Sequence, residues 1–340
     1  MRRALELADH GKFKVSPNPR VGCIIVYKNK IIGEGFHQQY GEAHAEVNAI
    51  NSVRNKALLK EAKAYVTLEP CTHFGKTPPC VDLLIQHQIP RVVIATADPF
   101  KKVNGEGIEK LKAHGVNVIL GVCEMEANEL NKRFFTFHKE KRPYIILKWA
   151  VSSDGFIGVN DNSMSRRERW ITNERTNQLT HLWRAEEDAI LVGTKTALLD
   201  DPQLDCRNVN GLNPNRILID NQLRVNAAAA IFNERANTYI LNQTKNEVKG
   251  HLEWRRFKEG TFFNELFHLC RENHFQSLIV EGGAKTLEAF IAKNLWNEAR
   301  VIMGKVRFHK GVKSPDLGNV SKTRFKIDTD WVDIYRNDQA

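Results

Sequence analysis

His44-Ala45-Glu46-Val47-Asn48-Ala49-Ile50, followed by Glu69-Pro70-Cys71-Thr72-His73-Phe74-Gly75-Lys76-Thr77-Pro78-Pro79-Cys80, decides how this chain is read. The two stretches offer one imidazole, two thiols and a carboxylate that need not be a ligand. Neutral His44 with thiolates Cys71 and Cys80 would hold zinc tetrahedrally, with a water as fourth ligand. Zinc lowers the pKa of such a water to about 7. Glu46, two residues beyond the imidazole, is placed to take the proton and return it to a leaving group. A closed structural zinc site would need a fourth protein ligand, and none stands out.

Around these stretches the pattern alternates. A helix is expected over Ala4–His10 and a hairpin over Val21–Tyr27 and Lys30–Phe36, turning at Lys28-Asn29. A helix over His44–Val53 and strands over Ala64–Leu68 and Arg91–Thr96 follow, then a helix near Ile108–His114. Strands alternating with helices argue for an α/β layer sandwich. His44 and Glu46 then lie at a helix start, and Cys71 and Cys80 just past a strand end. The polar stretch Thr136–Pro143 reads as a linker, giving domains over 1–142 and 143–340. In the second, strands are expected over Tyr144–Val151, Asp188–Val192, Arg216–Asp220, Thr238–Leu241 and Ser277–Glu281. Helices over Asn173–Ala185 and Lys285–Ala292 complete a largely parallel sheet with crossover helices.

At 340 residues, 42% hydrophobic and 26% charged, the chain is long enough for two ordinary cores. It has no apolar run near the ~18 residues that would span a membrane. The N-terminus lacks a signal-peptide core, so a cytoplasmic location is the default. Of the six cysteines, Cys23 lies in the apolar run Val21–Val26 and reads as a small core residue, as do Cys123, Cys206 and Cys270. Residues 1–143 carry 22 Lys+Arg against 15 Asp+Glu, and residues 144–340 carry 28 against 25. The excess favours an anionic ligand. No dense basic tract interleaved with aromatics accompanies it, which argues against a nucleic acid and against a zinc-dependent nucleic-acid-editing protein.

Ser16-Pro17-Asn18-Pro19-Arg20-Val21-Gly22 holds an amide between two prolines, suited to a heterocycle edge, though a plain turn would look the same. His73 and Lys76 add a base and a cation near the metal. In the second half, Lys148-Trp149-Ala150-Val151 ends in a small-residue turn. Trp170-Ile171-Thr172, Val192-Gly193-Thr194-Lys195-Thr196, Asp200-Asp201-Pro202-Gln203-Leu204-Asp205-Cys206-Arg207 and Glu281-Gly282-Gly283 follow. Glycines at strand-to-helix turns admit a phosphate to backbone N–H groups. The G-x-G-x-x-G fingerprint is absent. Taken singly, Gly282-Gly283 is equally a tight turn and Asp200-Asp201-Pro202 equally a helix end.

Together, HAEVNAI, EPCTHFGKTPPC and SPNPRVG resemble the deaminase domain of the bifunctional riboflavin-biosynthesis deaminase–reductases. The eight residues between Cys71 and Cys80 set this type apart from zinc deaminases whose cysteines are two residues apart. The resemblance implies a cytidine-deaminase-like three-layer domain followed by a dihydrofolate-reductase-like domain. It implies zinc-dependent hydrolytic deamination of 2,5-diamino-6-(5-phosphoribosylamino)pyrimidin-4(3H)-one, then NADPH-dependent reduction of the ribosyl group to ribityl. Carried over, zinc falls on His44, Cys71 and Cys80 and the proton carrier on Glu46, with Asn18, His73 and Lys76 lining the pocket. In the reductase half, Ala150, Trp170, Thr172, Thr196 and Gly283 contact the cofactor, and Lys148, Arg184, Leu204, Arg207 and Glu281 the substrate. Asp200 stands near the reacting sugar or nicotinamide. Arg184 and Arg207 suit a phosphate, because a guanidinium offers a fork of donors.

Two departures stand out. Glu168 occupies the place, two before the tryptophan, where the family usually has serine, with Ser165 nearby as a substitute. The usual Ala-Pro strand end and Leu-Gly are not evident in Met303-Gly304-Lys305-Val306-Arg307-Phe308. They leave a deaminase with a silent C-terminal half as the alternative. The expected partners are the phosphoribosyl pyrimidine and a second copy of the chain in a homo-oligomer, with neither nucleic acid nor membrane.

Overall fold

The computed structural model describes residues 1–72, 74, 78–99, 105–159, 165 and 167–337. Contacts divide it into two units, Met1–Lys141 and Arg142–Ala340, and each is described by itself.

The first unit runs α1 (Arg2–Asp9), β1 (Gly22–Tyr27), β2 (Lys30–Phe36), α2 (Ala45–Ser52), β3 (Lys63–Val66), α3 (Cys80–Gln86), β4 (Arg91–Ile94), α4 (Glu106–Ala113), β5 (Asn117–Leu120), α5 (Glu124–Leu130) and α6 (Lys132–Glu140). The sheet order is β2-β1-β3-β4-β5. The hairpin and the β1–β3 pair are antiparallel, and β3, β4 and β5 are parallel. Period-two alternation sorts the side chains of β1. Cys23 and Ile25 join a core with Ala49 and Ile50 of α2, Val81 and Leu84 of α3, and Ile108 and Leu111 of α4. Ile24 points to the opposite face, against Ala4 and Leu7 of α1. Helices therefore cover both faces, giving three layers.

The segment read as a linker is helical instead. α6 continues to Glu140, with Phe134, Phe135 and Phe137 buried, and Lys141 closes it at φ 58°. The charges of Lys139–Arg142 masked an apolar helical face that begins upstream. Cys123 also departs from its expected place in the core. It is half-buried, at φ 61°, and precedes α5. The short edge strand β5, largely exposed, had no apolar alternation to announce it.

The second unit runs β6 (Tyr144–Val151), β7 (Phe156–Gly158), α7 (Glu174–Glu186), β8 (Ala189–Gly193), α8 (Thr194–Asp200), β9 (Asn215–Ile219), β10 (Thr238–Asn242), β11 (Glu247–Lys249), β12 (Leu252–Arg256), α9 (Phe262–Glu272), β13 (Ser277–Val280), α10 (Ala284–Ala292), β14 (Glu298–Met303), β15 (Val312–Lys313), β16 (Lys322–Ile327) and β17 (Asp330–Arg336). Ten strands form one sheet, ordered β11-β12-β10-β9-β8-β13-β6-β14-β17-β16. Strands β12 through β14 in that order are parallel; β11, β17 and β16 are antiparallel additions at the edges. Both faces of the parallel part are buried, as crossover helices require. Ile145, Leu147, Trp149 and Val151 of β6 pack with Leu266 and Leu269 of α9 and Leu287 and Phe290 of α10. Tyr144 and Ile146 face Trp183 of α7 and Ala197 of α8.

Gly33 and Gly35 of β2 decide how closely the helix that carries Glu46 approaches the strand. A Cβ on Gly35 of β2 would meet Ala49 N at 2.2 Å and Ala45 O at 2.7 Å, so α2 rests directly on the strand backbone. Gly35→Ala is expected to push α2 outward and destabilise the first unit by about 1–3 kcal/mol, the usual penalty of overpacking. Urea unfolding checks this: the midpoint should fall, and zinc retention with it.

Candidate active sites

The first site grows from three element ends. His44 is the residue before α2, and Glu46 lies in its first turn. Cys71 follows the β3 strand end, and Cys80 opens α3. Glu69 fixes the intervening loop. Its buried carboxylate accepts N–H bonds from Asp98 (3.2 Å), Gly105 (3.0 Å), Gly107 (2.9 Å) and Ile108 (3.3 Å). This pins the chain just before Cys71 to the start of α4.

His44 Nδ1 is 3.3 Å from Cys80 Sγ and 3.6 Å from Cys71 Sγ. The three ligand atoms lie within 4.8 Å of one another. In a tetrahedral zinc site, with Zn–S about 2.3 Å and Zn–N about 2.0–2.1 Å, sulfur and nitrogen are roughly 3.5 Å apart. The donor set and its spacing fit zinc. Hydrogen bonding from Cys80 holds the Cys71 thiol below its ordinary pKa despite burial, favouring the thiolate a metal needs. Burial, together with the Cys71 charge, pushes the Glu46 carboxyl up to about 6, with His44 pulling the other way. A carboxyl in that range exchanges a proton readily near neutral pH.

Asn18 is half-buried, with its Nδ2 3.0 Å from His37 Nε2. His37 Nδ1 is 3.1 Å from the Ala43 carbonyl. A carbonyl only accepts, so Nδ1 carries the proton and Nε2 accepts from the Asn18 amide. Burial lowers the His37 pKa and keeps the ring neutral. The amide is thereby oriented with Oδ1 available to a ligand. No sequence pattern marks His37, whose partner lies nineteen residues upstream. His73 and Lys76 lie outside the described residues.

The second site forms at the ends of adjacent parallel strands. The β13–β6 register pairs Val280 with Leu147, so the next residues, Glu281 and Lys148, are neighbours. Glu281 Oε2 is 3.8 Å from Lys148 Nζ, and its two oxygens accept from Arg184 Nε (2.8 Å) and Nη2 (2.7 Å). Burial alone would raise the Glu281 pKa, but Arg184 and Lys148 outweigh it and hold the carboxyl at about 2. Burial lowers the Lys148 pKa, with Glu281 opposing.

Ala150 lies two residues on in β6, opposite Ile302 of β14. Just past β14, a Cβ on Gly304 would meet Ile171 O at 2.0 Å, so this glycine lets the Trp170-Ile171-Thr172 segment approach the strand ends. Trp170 is exposed and Thr172 half-buried. The same segment is tied down at its far end. Buried Asp330 accepts from Asn173 N (2.8 Å) and Thr176 Oγ1 (2.6 Å), and Asn173 caps α7. Gly283 precedes α10. A Cβ there would reach Thr196 Oγ1 at 3.3 Å, and one on Gly193 would reach Thr286 Oγ1 at 2.8 Å. Two strand-to-helix turns thus meet, with backbone N–H groups bare of side chain at the start of α10, a cradle that suits the phosphates of a dinucleotide. Thr286, absent from the sequence reading, belongs to it.

Asp200 is exposed and ends α8, with Asp201 left-handed behind it. Leu204 is buried among Trp183, Ile190 and Leu218, at φ 53°, so what it offers a ligand is its main chain. Arg207 is exposed, whereas Arg184 spends its fork on Glu281 and the Asp205 carbonyl. Glu168 accepts from Ser165 N and Oγ, both at 2.7 Å, so the two residues of the divergent loop bind each other.

Comparison with known proteins matches residues 143–327 to the model of the RibD C-terminal domain. Residues 1–96 match that of the cytidine and deoxycytidylate deaminase zinc-binding region. The chain is 40% identical to the riboflavin biosynthesis protein RibD of Aquifex aeolicus over 324 residues, 94% of this chain and 89% of that one. It is 39% identical to RibD of Escherichia coli over 280 residues, 74% of this chain and 75% of that one. Its fold is similar to the crystal structure of a diaminohydroxyphosphoribosylaminopyrimidine deaminase/5-amino-6-(5-phosphoribosylamino)uracil reductase from Thermotoga maritima. There the TM-score is 0.88 at 35% identity, covering 99% of this chain and 97% of that one.

Glu281→Gln should leave Lys148 and Arg184 as buried unpaired charges and cost about 3–5 kcal/mol at pH 7. The native carboxyl titrates at about 2 against roughly 4.3 in the unfolded chain. Its contribution is therefore complete above pH ~4.3 and lost as pH falls toward 2. Denaturant unfolding at pH 7, 4 and 3 should show the gap between wild type and variant narrowing with acid.

Proposed function

The chain belongs to the RibD family of bifunctional riboflavin-biosynthesis enzymes, and from that premise we propose how its residues divide the work. It is a zinc-dependent deaminase joined to an NADPH-dependent reductase. The deaminase hydrolyses the 2-amino group of 2,5-diamino-6-(5-phosphoribosylamino)pyrimidin-4(3H)-one, and the reductase converts the ribosyl group of the product to ribityl. The convergence of His44, Cys71 and Cys80 beside buried Glu46 carries the first assignment.

Zinc, when bound, supplies an acidified water as nucleophile. His44 Nδ1 and the two sulfurs are its holders. Glu46 accepts a proton from the attacking water and returns it to the departing amine. Its elevated pKa suits both directions of that transfer. Asn18 accepts from the pyrimidine edge through Oδ1, held in that sense by His37.

In the second unit NADPH supplies a hydride for C1 of the ring-opened sugar. Gly283, Thr196, Ala150, Trp170 and Thr172 would hold the cofactor. Lys148 lies beside Glu281 and is placed to donate a proton to the reduced imine, its lowered pKa easing the transfer. Asp200, at the α8 end, would stand near the reacting sugar or the nicotinamide, and the backbone of Leu204 and the guanidinium of Arg207 would receive the sugar phosphate. The ligand is a small molecule, which accounts for the excess basic charge without nucleic acid. Among the described residues no helix is long and apolar enough to cross a membrane; none of the six cysteines is in a disulfide, as is usual in a reducing compartment such as the cytoplasm. A homo-oligomer is the expected assembly.

Glu46→Gln keeps all three ligands and removes the proton carrier. It should bind zinc at the wild-type ratio while ammonia release falls by about 10²–10⁴-fold. Metal analysis and an ammonia assay on the same sample check this; deamination at the wild-type rate would remove Glu46 from its role.

A further inference from the structure

The loop Gln203–Arg207 gathers more charge than the functions above use. The Asp205 side chain is only 1% exposed, and both its oxygens face guanidinium groups. Oδ1 accepts from Arg207 Nη1, and Oδ2 from Arg235 Nη1 at 2.8 Å. Arg235 Nη1 also donates to Gln203 Oε1 at 3.1 Å. The main-chain carbonyl of Asp205 accepts from His181 Nδ1 (2.8 Å) and Arg184 Nη1 (3.3 Å). One residue therefore ties Arg207 and Arg235 to the Lys148–Glu281–Arg184 cluster.

The cations of this group differ in what they have left to give. Lys148 and Arg184 are half-buried, and Arg184 is spent on Glu281 and the loop. The side chains of Arg207 and Arg235 are 46% and 56% exposed. Among the described residues each engages only Nη1, so Nε and Nη2 remain for a ligand. Buried Arg216, the next nearest cation, is committed to the carbonyls of Ile231 and Asn233 and to Asn233 Oδ1. Lys148, Arg184, Arg207 and Arg235, with Arg216 behind them, outnumber the carboxylates Glu281 and Asp205, so the group is net positive. A phosphate monoester, with a second pKa near 6, carries close to two negative charges at neutral pH. Guanidinium forks match its oxygens geometrically.

We infer that Arg235 is a second phosphate-binding residue of the reductase site, paired with Arg207, and that Asp205 is the positioning residue holding both guanidiniums. The inference rests on the reading that Arg207 meets the substrate phosphate. It makes the site selective for the phosphorylated sugar over its dephosphorylated form. Asp205 holds the pair together at little cost to its charge, because burial alone would raise its pKa and the two arginines instead lower it.

The test uses full-length, zinc-loaded protein and follows NADPH oxidation with the deaminated phosphoribosyl substrate and with its dephosphorylated counterpart. Arg235→Gln should raise KM for the phosphorylated substrate about 10–100-fold, the range of a charge-assisted hydrogen bond. It should leave kcat within about twofold and reduce the preference for phosphate by the same factor as KM. Arg235→Lys should recover part of the loss. Asp205→Asn should raise the same KM with kcat retained. If Arg207→Gln raises KM and Arg235→Gln does not, Arg235 is only a surface partner of Asp205 and the inference falls. If Arg235→Gln raises KM equally for both substrates, its role is structural and the inference falls. If Arg207→Gln too leaves KM unchanged, the phosphate lies elsewhere and the underlying reading of the site fails with it. Circular dichroism melts of each variant separate these outcomes from misfolding.

Discussion

A carboxylate taken out of water has to be met by cations or N–H groups, and the Glu281 carboxylate governs the second unit for that reason. It stands at the end of β13, a strand buried on both faces. The parallel register brings Lys148 beside it, and the Arg184 fork closes on it from α7. Removing either partner would strand a buried charge, so strand order, register and the pitch of α7 are fixed together. Substrate chemistry is then built on an arrangement that stability already demands. The same residues that keep the unit folded are the ones proposed above to meet the sugar.

The first unit solves a similar problem with backbone in place of cations. Glu69 turns its carboxylate toward four N–H groups, two of them in the first turn of α4. Helix N-termini favour negative charge there. Pro70 then runs so close to α4 that Gly107 has no room for a Cβ, which would lie 2.4 Å from Pro70 O. Cys71 follows directly, so the metal ligand inherits its position from a carboxylate two residues before it. His44 and Cys80 are placed differently, each at the start of a helix whose apolar face is locked in the core. Three ligands from three separately anchored elements meet without relying on the loop between the cysteines.

How much of this was legible depends on how far along the chain the interacting groups lie. The hairpin, the helix at Glu46 and the strands of the parallel sheet each carry their pattern within a dozen residues. The zinc set does so too, because ligand chemistry is written in residue types. Residue types also put Glu281 and Gly283 just past a strand end and Lys148 on the strand beside it. What stayed hidden was pairing across long separations. His37 orients Asn18, Asp330 anchors the start of α7, and Asp205 collects cations from three elements. An isolated Asp or His carries no mark of its partner. The helix that replaces the expected linker was missed for a related reason: three buried phenylalanines outweigh the exposed charges of Lys139, Glu140 and Lys141 that follow them. Leu204 was legible as a position but not in its orientation, since burial turns its side chain into the core and leaves the backbone outward.

The two departures from the family pattern resolve into one observation about how loops conserve contacts rather than letters. In one, Gly304 lets Ile171 O come against a bare backbone, where a Cβ would lie 2.0 Å from it. Glu168 and Ser165 satisfy each other through two 2.7 Å bonds, which fixes the approach to Trp170 by local hydrogen bonding. That arrangement places a carboxylate, which only accepts, where the family's serine would offer a hydroxyl donor. On another loop Asp205 gathers the guanidiniums of Arg207 and Arg235, which the inference above assigns to the phosphate. Binding of a dianion constrains the sum of charge around it more tightly than the source of any one contact. A substitution that looks disabling when read alone is then compatible with an intact site.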